Sequence, residues 1–306
     1  MITKSPITSG RVKLIKEIAT KEIATIYKEG LDLDVNNYFK DLDQISLYKC
    51  LDTGYEFYHP FTIYGNEAFY KALEKHNWYY QKWKWEYEVT DTYVQEGQSI
   101  IEIGCGNGYF LSYLNKKKVN TLGLELNSEA IEKANKNGLQ VLNTPLEVYS
   151  EKVDAKFNVV CAFQVLEHIW NINDFISHCL KLLKPNGKLI FAVPNNEAVF
   201  FKEQKKLPKT NPRYVNQLQT LALNMPPHHM GLWRKNVFEK LPNFYSELSL
   251  VKIYEEPANK GRIALNNHIV KSKIGQNKFL LKLFKKLNQN KLNKGDSLLV
   301  IYEKKG

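Results

Sequence analysis

The sequence predicts an α/β protein built on a doubly wound parallel sheet, and three observations support this fold class. An apolar run at 99–103 ends in a turn, residues 104–108, that has glycine at alternate positions. A second run, 120–124, ends in an acid, and a third, 157–163, ends in a polar segment. Short apolar runs that are separated by helix-length segments are typical of strands buried on both faces.

The turn at 104–108 indicates a nucleotide-type ligand. Glycines let the backbone turn tightly and let a ligand approach atoms that a Cβ would shield. A helix predicted from Tyr109 places the turn at a strand's carboxyl end, where nucleotides bind in such folds. A dinucleotide fingerprint has G-x-G-x-x-G, whereas the third glycine here comes one residue earlier.

Two acids narrow the choice of ligand. Glu102 lies two residues before the first glycine, and a carboxylate there suits a cationic amino group and disfavours a diphosphate. Glu125 ends the second strand, where such folds hold a carboxylate for ribose hydroxyls. The predicted ligand has a ribose, an amino-acid end and no phosphates.

On these motifs, residues 98–197 resemble the class I S-adenosylmethionine-dependent methyltransferases. Their E-x-G-x-G-x-G loop matches 102–108 and their second-strand acid matches Glu125. The segments 143–147 and 182–187 resemble their adenine-side motif and their L-x-P-x-G turn. The resemblance implies a seven-stranded methyltransferase sheet, whose last two strands we place at 248–254 and 297–302.

The resemblance also implies the cofactor, S-adenosyl-L-methionine, with S-adenosylhomocysteine as its product. Glu102 and the glycines would hold the methionine end, Glu125 the ribose, and residues 144–146 the adenine edge. The predicted cofactor-binding residues are Glu102, Gly104, Cys105, Gly106, Gly108, Glu125, Leu126, Thr144, Leu146, Phe163 and Gln164.

The predicted catalytic residues follow the strand at 157–163 and a later proline pair. Glu167 and His168 end the segment after the strand at 157–163, and His228 and His229 follow two prolines in a predicted lid at about 200–235. A histidine with an ordinary pKa near ~6.5 could take the proton of a hydroxyl as that hydroxyl attacks the methyl group. A loop histidine is also often a surface residue, so His228 and His229 stay open to that interpretation.

A metal ion is not expected at these residues. The ubiquinone-pathway O-methyltransferases and the small-RNA 2′-O-methyltransferases, which resemble this core, hold a divalent ion with E-x-x-E-H at this strand end. Glu167 and His168 match that motif, but Gln164 replaces the first glutamate. A neutral amide is a weaker ligand for a hard cation than a carboxylate.

The flanking sequence divides the chain into three regions. Residues 1–95 form a helical and aromatic substrate-side region, 96–200 the cofactor-binding core, and 201–306 the lid, the last strands and a basic insert. Within the first region, 11–28 has a helical pattern, and 48–93 is rich in aromatic residues that suit a core or a pocket wall. The segment before the core resembles one that carries paired cysteines in some methyltransferases. This segment has only Cys50, so zinc is not expected there.

The charge of the chain is concentrated in the insert. Formal net charge is +11, and residues 260–294 contain ten Lys or Arg and no Asp or Glu. Apolar residues at 279, 280, 283, 284 and 287 share one face of a predicted basic helix. The helix could dock on its own domain, contact an anionic surface or partner such as a nucleotide-linked sugar, or bind nucleic acid.

The sequence therefore predicts methyl transfer to an oxygen, or less readily a nitrogen, of a polar small molecule or a sugar-containing glycan precursor. The alternatives are a methyltransferase of RNA or another nucleic acid, for which charge is the only support, and a cofactor-binding scaffold without catalysis. No apolar run approaches ~18 residues and no cysteine pairing pattern appears. We expect a cytoplasmic protein without a transmembrane segment, with peripheral membrane contact as an option for the insert.

Overall fold

A computed structural model describes residues 3–76, 81–198, 207–257 and 295–306. Three sequence predictions fall wholly or partly outside these ranges. They are the aromatic residues at 77–80, the first part of the lid at 199–206, and the basic helix within 258–294.

The described ranges contain two sheets and the helices that cover them. The strands are β1 (Val12–Ala19), β2 (Gln44–Cys50), β3 (Glu56–His59), β4 (Ser99–Ile103), β5 (Asn120–Leu124), β6 (Val141–Leu142), β7 (Phe157–Phe163), β8 (Leu183–Pro194), β9 (Gly231–Leu232), β10 (Leu248–Glu255) and β11 (Ser297–Lys304). The α-helices are α1 (Thr20–Leu31), α2 (Glu67–Leu73), α3 (Trp85–Asp91), α4 (Tyr109–Asn115), α5 (Ser128–Lys136), α6 (Leu146–Lys152), α7 (Ile172–Leu182), α8 (Tyr214–Leu223) and α9 (Lys235–Lys240). Short 3₁₀ helices span Asn36–Phe39, Phe61–Ile63 and Leu241–Asn243. Within the described part of the chain, no helix combines the length and the apolar character needed to cross a membrane.

The larger sheet has the order β10-β11-β8-β7-β4-β5-β6. Its central strands pair in parallel, and β11 is antiparallel to both of its neighbours. The predicted fold class is confirmed by this seven-stranded α/β sheet. The chain leaves β4 toward β5 on one side and returns to β7 on the other, so a topological switch point lies between β4 and β7, where ligands bind in such sheets.

The apolar runs of the sequence are explained by burial on both faces of this sheet. Ile101 and Ile103 pack into the core on one face, whereas Ile100 packs with Phe110 of α4 on the other. The predicted L-x-P-x-G turn is an excursion within β8, because Phe157 pairs with Leu183 and the next pair along the strand joins Val159 to Lys188.

The smaller sheet, β1-β2-β3-β9, is antiparallel and corrects one prediction. The helix expected across 11–28 begins only at Thr20, and the residues before it form β1. The apolar residues that suggested a helix do not share one buried face, since Ile15 is 43% exposed while Ile18 is buried. Pairing with β2 from Val12 to Ala19, apart from a bulge at Ile15, stabilises β1 as a strand and outweighs the helical pattern.

The later segment 207–232 packs with the smaller sheet. Leu218 of α8 and Met230 lie in one apolar cluster with Ile23 and Ile26 of α1, and β9 pairs with β3. This packing brings the chain around the proline pair against the first region and next to the end of β7.

Candidate active site

The glycine turn lies at the switch point and has the backbone that the sequence predicts. Gly104 has φ +70° and Gly106 has φ +53°, both in the left-handed region. A Cβ on Gly104 would lie 2.6 Å from Cγ2 of Val165, the residue two positions after β7. The turn is therefore closely packed against the loop that follows β7.

Glu125 fixes the turn from the end of β5. Its Oε2 accepts a hydrogen bond from the Gly106 N–H at 2.7 Å, and its Oε1 accepts from the N–H groups of Leu126 and Asn127 at 2.8 and 2.9 Å. A carboxylate can accept about four hydrogen bonds, so capacity remains for a ribose hydroxyl. Asn127 then caps α5 through Glu129 and Ala130.

Glu102 is a buried carboxylate beside the turn. It is 2% exposed, and its Oε2 has no hydrogen-bond partner among the described residues. Burial raises the pKa of Glu102 to about 8, Lys84 opposes that shift, and Glu125 and Glu86 add to it. A cationic amino group placed here would stabilise the ionised form.

A proton should therefore leave the protein when the cofactor binds. At pH 7 a group of pKa about 8 is roughly nine-tenths protonated, and an ammonium group beside it favours ionisation. We expect proton release from Glu102 at pH 7 and affinity that rises with pH until it levels off above about 8. Calorimetry in two buffers of different ionisation enthalpy measures the release. Glu102→Gln should remove it, and equal release in the variant and the wild type would contradict the assignment.

The remaining predicted cofactor residues occupy mixed surroundings. Cys105 is buried, Leu126 is 61% exposed, and Leu146 starts α6 within the core. Phe163 packs its ring against Phe110 and belongs to the aromatic core. Thr144 is half-buried in the loop after β6, and Gly108 is the N-cap of α4 with a left-handed backbone.

Gln164 directly follows β7 and bonds to a side chain of α3. Its backbone has φ +58°, and its amide donates to Oε1 of Glu86 on α3 at 3.3 Å. Sequence reasoning missed Glu86, which is fully buried. The signal was present in the stretch Trp83-Lys84-Trp85-Glu86, where charged residues alternate with tryptophans.

The predicted catalytic residues form one cluster. The ring of His168 lies with its centroid 4.8 Å from that of His228 and 5.0 Å from that of His229, and the last two rings stack at 4.3 Å. Oε1 of Glu167 is 4.0 Å from Nε2 of both His168 and His229. His228 and His229 are buried, so the surface-residue interpretation of this pair is wrong.

Backbone carbonyls set the tautomers of two of these rings. Nδ1 of His168 donates to the carbonyl of His228 at 2.5 Å, and Nδ1 of His228 donates to that of Leu223 at 2.9 Å. Because a carbonyl only accepts, both protons are on Nδ1 and both Nε2 atoms keep a lone pair. Nδ1 of His229 has no hydrogen-bond partner in the described ranges.

Burial keeps the three imidazoles neutral. Burial lowers the pKa of His168 to about 4. Burial and then the neighbouring ring of His168 lower the pKa of His228 to about 3. The pKa of His229 is lowered well below its ordinary value by burial and then by the two neighbouring rings. The ordinary pKa expected for His168 from the sequence is therefore wrong, because the N-terminal region and the 207–232 segment enclose the ring.

Helix α2 of the N-terminal region and the residue that follows it contact both the histidine cluster and the residues after Glu125. Tyr70 of α2 meets the ring of His168 edge-on at 5.5 Å. Lys71 pairs with Glu129 at 2.6 Å, and Asn127 donates to Glu74 just beyond α2. The histidine cluster and the loop behind Glu125 therefore both contact α2 or the residue that follows it.

The donors in the cluster also suit a metal ion. One ligand atom from each of His168, His228 and His229 lies within 4.8 Å of the others, and a buried carboxylate lies beside them. Metal-ligating imidazoles are neutral and donate their second N–H to an acceptor such as a backbone carbonyl, as two of these rings do.

The order of the seven strands, the glycine turn at the switch point and the acid that ends β5 define a nucleotide-binding enzyme of the class I methyltransferase type. Residues 71–256 match the methyltransferase domain family Methyltransf_23. The chain belongs to this family of S-adenosylmethionine-dependent methyltransferases, and the predicted family is confirmed.

Individual relatives are distant. The chain is 23% identical over 108 residues to a ubiquinone biosynthesis O-methyltransferase of Erwinia tasmaniensis, which covers 33% of this chain and 44% of that protein. It is 27% identical over 134 residues to a probable S-adenosylmethionine-dependent methyltransferase of Mycolicibacterium smegmatis, covering 42% and 49%. The chain thus spans about half the length of the curated relatives it matches. A Haloferax volcanii protein, solved with the methyltransferase activator Trm112, shares the fold with TM-score 0.50 and 14% identity over 72% of this chain and 90% of that one.

Proposed function

We propose that the protein transfers the methyl group of S-adenosylmethionine to a hydroxyl oxygen of a polar small molecule or a sugar-containing precursor. The cluster of Glu167, His168, His228 and His229 carries this proposal, because it gathers proton acceptors at the end of the strand that borders the cofactor crevice. The name of the Erwinia relative, an O-methyltransferase, points to the same class of acceptor atom.

The chain's own residues have two tasks in such a reaction. The glycine turn, Glu102 and Glu125 hold the cofactor so that its methyl group faces the acceptor, since alignment supplies much of the rate of methyl transfer. His168 then receives the acceptor's proton. A neutral hydroxyl that gains a methyl group becomes a protonated ether, which is a far stronger acid than imidazolium, so even an imidazole of low pKa accepts this proton.

The cluster also fits a divalent ion, held by His168, His228, His229 and Glu167. When bound, such an ion would polarise the acceptor oxygen and lower the pKa of its hydroxyl. Three imidazoles and one carboxylate suit Zn²⁺ or Co²⁺ better than Mg²⁺, which prefers oxygen ligands. The neighbouring Gln164, whose amide faces Glu86, does not add a carboxylate to this set.

The metal content of the dialysed protein distinguishes a site that binds a divalent ion from the metal-free site that the sequence predicts. After dialysis against Co²⁺ and Mg²⁺ together, we expect about one equivalent of Co²⁺ by elemental analysis and a visible Co²⁺ absorption band. The double variant H228A/H229A should retain much less, whereas His178→Ala, which alters a histidine bonded to Ser150 elsewhere, should match the wild type. No retained metal, together with full turnover in excess EDTA, would contradict the metal fit and leave His168 as the base.

Release of S-adenosylhomocysteine tests the proposed reaction. The protein is incubated with S-adenosylmethionine and separate panels of phenols, sugar nucleotides, amines and RNA, with His168→Ala as the blank. We expect release with a hydroxyl acceptor from one of the first two panels. Release with RNA alone would favour the nucleic-acid alternative, and release with amines alone would move the reaction to nitrogen.

A further inference from the structure

The two buried histidines leave a turn, residues 225–229, that has few backbone donors of its own. Pro226 and Pro227 have no N–H group, so the N–H groups of the histidines have to close the turn. Those of His228 and His229 both donate to the carbonyl of Met225, at 3.0 and 3.1 Å. The shape of the turn therefore depends on the groups that meet at this one carbonyl.

A tyrosine of the N-terminal region bonds to the same carbonyl. The hydroxyl of Tyr27 on α1 donates to the Met225 carbonyl at 2.7 Å and accepts from the His228 N–H at 3.2 Å. Tyr27 is fully buried, and burial raises the pKa of its phenol well above the ordinary value, so the hydroxyl keeps the proton that it donates. One side chain thus bridges the first and the fourth residue of the turn.

Helix packing fixes the position of that hydroxyl. The ring of Tyr27 meets the ring of Phe69 on α2 edge-on, with the centroids 6.0 Å apart. Three residues further along α1, a Cβ on Gly30 would lie 2.9 Å from the backbone nitrogen of Gln219 on α8. Because α1 and α8 approach so closely, the phenol is held against the turn that follows α8.

The turn in its turn holds the proposed base. The carbonyl of His228 accepts the Nδ1 proton of His168 at 2.5 Å, and this bond leaves a lone pair on Nε2 of His168. If the carbonyl moved away, the neutral ring could take the other tautomer, whose Nε2 carries the proton and accepts none. A chain of contacts therefore runs from the phenol of Tyr27 through the turn to Nε2 of His168.

We infer that Tyr27 is a positioning residue for His168, and that it acts through the turn 225–229 to hold this ring in the tautomer whose Nε2 accepts a proton. This inference rests on the proposed function, in which His168 receives the acceptor's proton. Tyr27 lies before residue 71, where the match to the family begins. The N-terminal region thus takes part in the chemistry of the site in addition to enclosing it.

NMR spectra of protein labelled with ¹⁵N-histidine test the link without any acceptor. Long-range ¹H–¹⁵N correlations distinguish the two tautomers of a ring, EDTA keeps the site free of metal, and His168→Ala identifies the signals of His168. In the wild type we expect the Nδ1–H tautomer of His168. Tyr27→Phe, which removes only the hydroxyl, should convert about a tenth or more of His168 to the Nε2–H tautomer.

Kinetics provides the second readout. With an acceptor that supports release of S-adenosylhomocysteine, Tyr27→Phe should lower kcat by about tenfold, while affinity for S-adenosylhomocysteine changes by less than about twofold. Tyr302→Phe is the matched control, because Tyr302 of β11 is also fully buried and its hydroxyl donates to the carbonyl of Phe238 at 2.6 Å. Both variants lose a buried hydroxyl, but only Tyr27→Phe should change kcat and the tautomer of His168.

The outcomes separate this inference from the proposed function. An unchanged His168 spectrum in Tyr27→Phe, or equal losses of kcat in the two phenylalanine variants, would overturn the inference alone. A wild type that releases no S-adenosylhomocysteine with any acceptor panel would overturn the proposed function, and the spectra would still decide whether Tyr27 sets the tautomer. Gly30→Ala keeps the phenol but forces α1 and α8 apart. It should shift the same tautomer, so it keeps the test decisive if Tyr27→Phe fails to fold.

Discussion

Replacing Gly106 by valine is expected to abolish cofactor binding while the sheet stays folded. Gly106 has φ +53°, a conformation that costs a β-branched residue about 1–3 kcal/mol, and its N–H holds Oε2 of Glu125 at 2.7 Å. The added side chain would also cover backbone that a ligand must approach. We expect affinity for S-adenosylhomocysteine to fall by about 100-fold or more.

Gly97→Val is the matched control. Gly97 has φ +82° and nothing within 4 Å of the position of its Cβ, and it precedes the amino end of β4, whereas the glycine turn follows the carboxyl end of that strand. The same kind of backbone strain is then introduced away from the site, so we expect both variants to lose stability but only Gly106→Val to lose binding. Equal affinities of the two folded variants would contradict the placement of the cofactor on this turn.

Replacing His168 by alanine is expected to lower turnover by about 100-fold or more with cofactor affinity nearly kept. The ring lies at the centre of the cluster, within 5.0 Å of both neighbouring imidazoles by centroid, and carries a free lone pair on Nε2. The proposed proton transfer and the proposed metal binding both depend on this ring. Steady-state kinetics with a hydroxyl acceptor that supports release of S-adenosylhomocysteine, and calorimetry with S-adenosylhomocysteine, provide the two readouts.

His178→Ala again serves as the control for this substitution. Its ring bonds to Ser150 between α6 and α7, away from the cluster. An unchanged turnover in His168→Ala would move the chemistry to His228 or His229. Comparable losses in both variants would indicate a general effect on the fold.

The strands β4, β5 and β7 of the parallel core could be predicted almost residue by residue because their signals are local. Strand β7 matches the predicted run at 157–163, and the helix predicted from Tyr109 begins there. Burial on both faces makes each central strand a continuous apolar run, which is visible without knowledge of its partners. The glycine turn is visible for a similar reason, since its backbone requires glycine at fixed spacing.

The N-terminal region could not be predicted in the same way because long-range contacts determine it. Strand β1 has helical spacing in the sequence and becomes a strand through pairing with β2. The His228–His229 pair is separated from His168 by a long stretch of sequence, and only the packing of α8 and β9 on the smaller sheet brings the rings together. Burial produced by that packing also lowers the pKa of His168, which depends on neighbours that the local sequence does not reveal.

Glu86 illustrates the remaining gap. The alternation of charged residues with tryptophans at 83–86 marks the segment, but the burial of Glu86 depends on how Tyr87 packs α3 against Phe110 and Phe163. The glycine turn after β4 and the acid after β5 could be predicted from the sequence, whereas the burial of Glu86 and its bond to Gln164 are visible only in the structure.

Calorimetric titration of S-adenosylmethionine into the wild type and into Glu125→Ala tests the central claim most directly. The account predicts one bound cofactor per chain and affinity at least about tenfold weaker in the variant, because the carboxylate orders the glycine turn and is the proposed acceptor for a ribose hydroxyl. A melting curve verifies that the variant is folded. Absence of binding to the wild type, or equal binding by both proteins, would contradict the account.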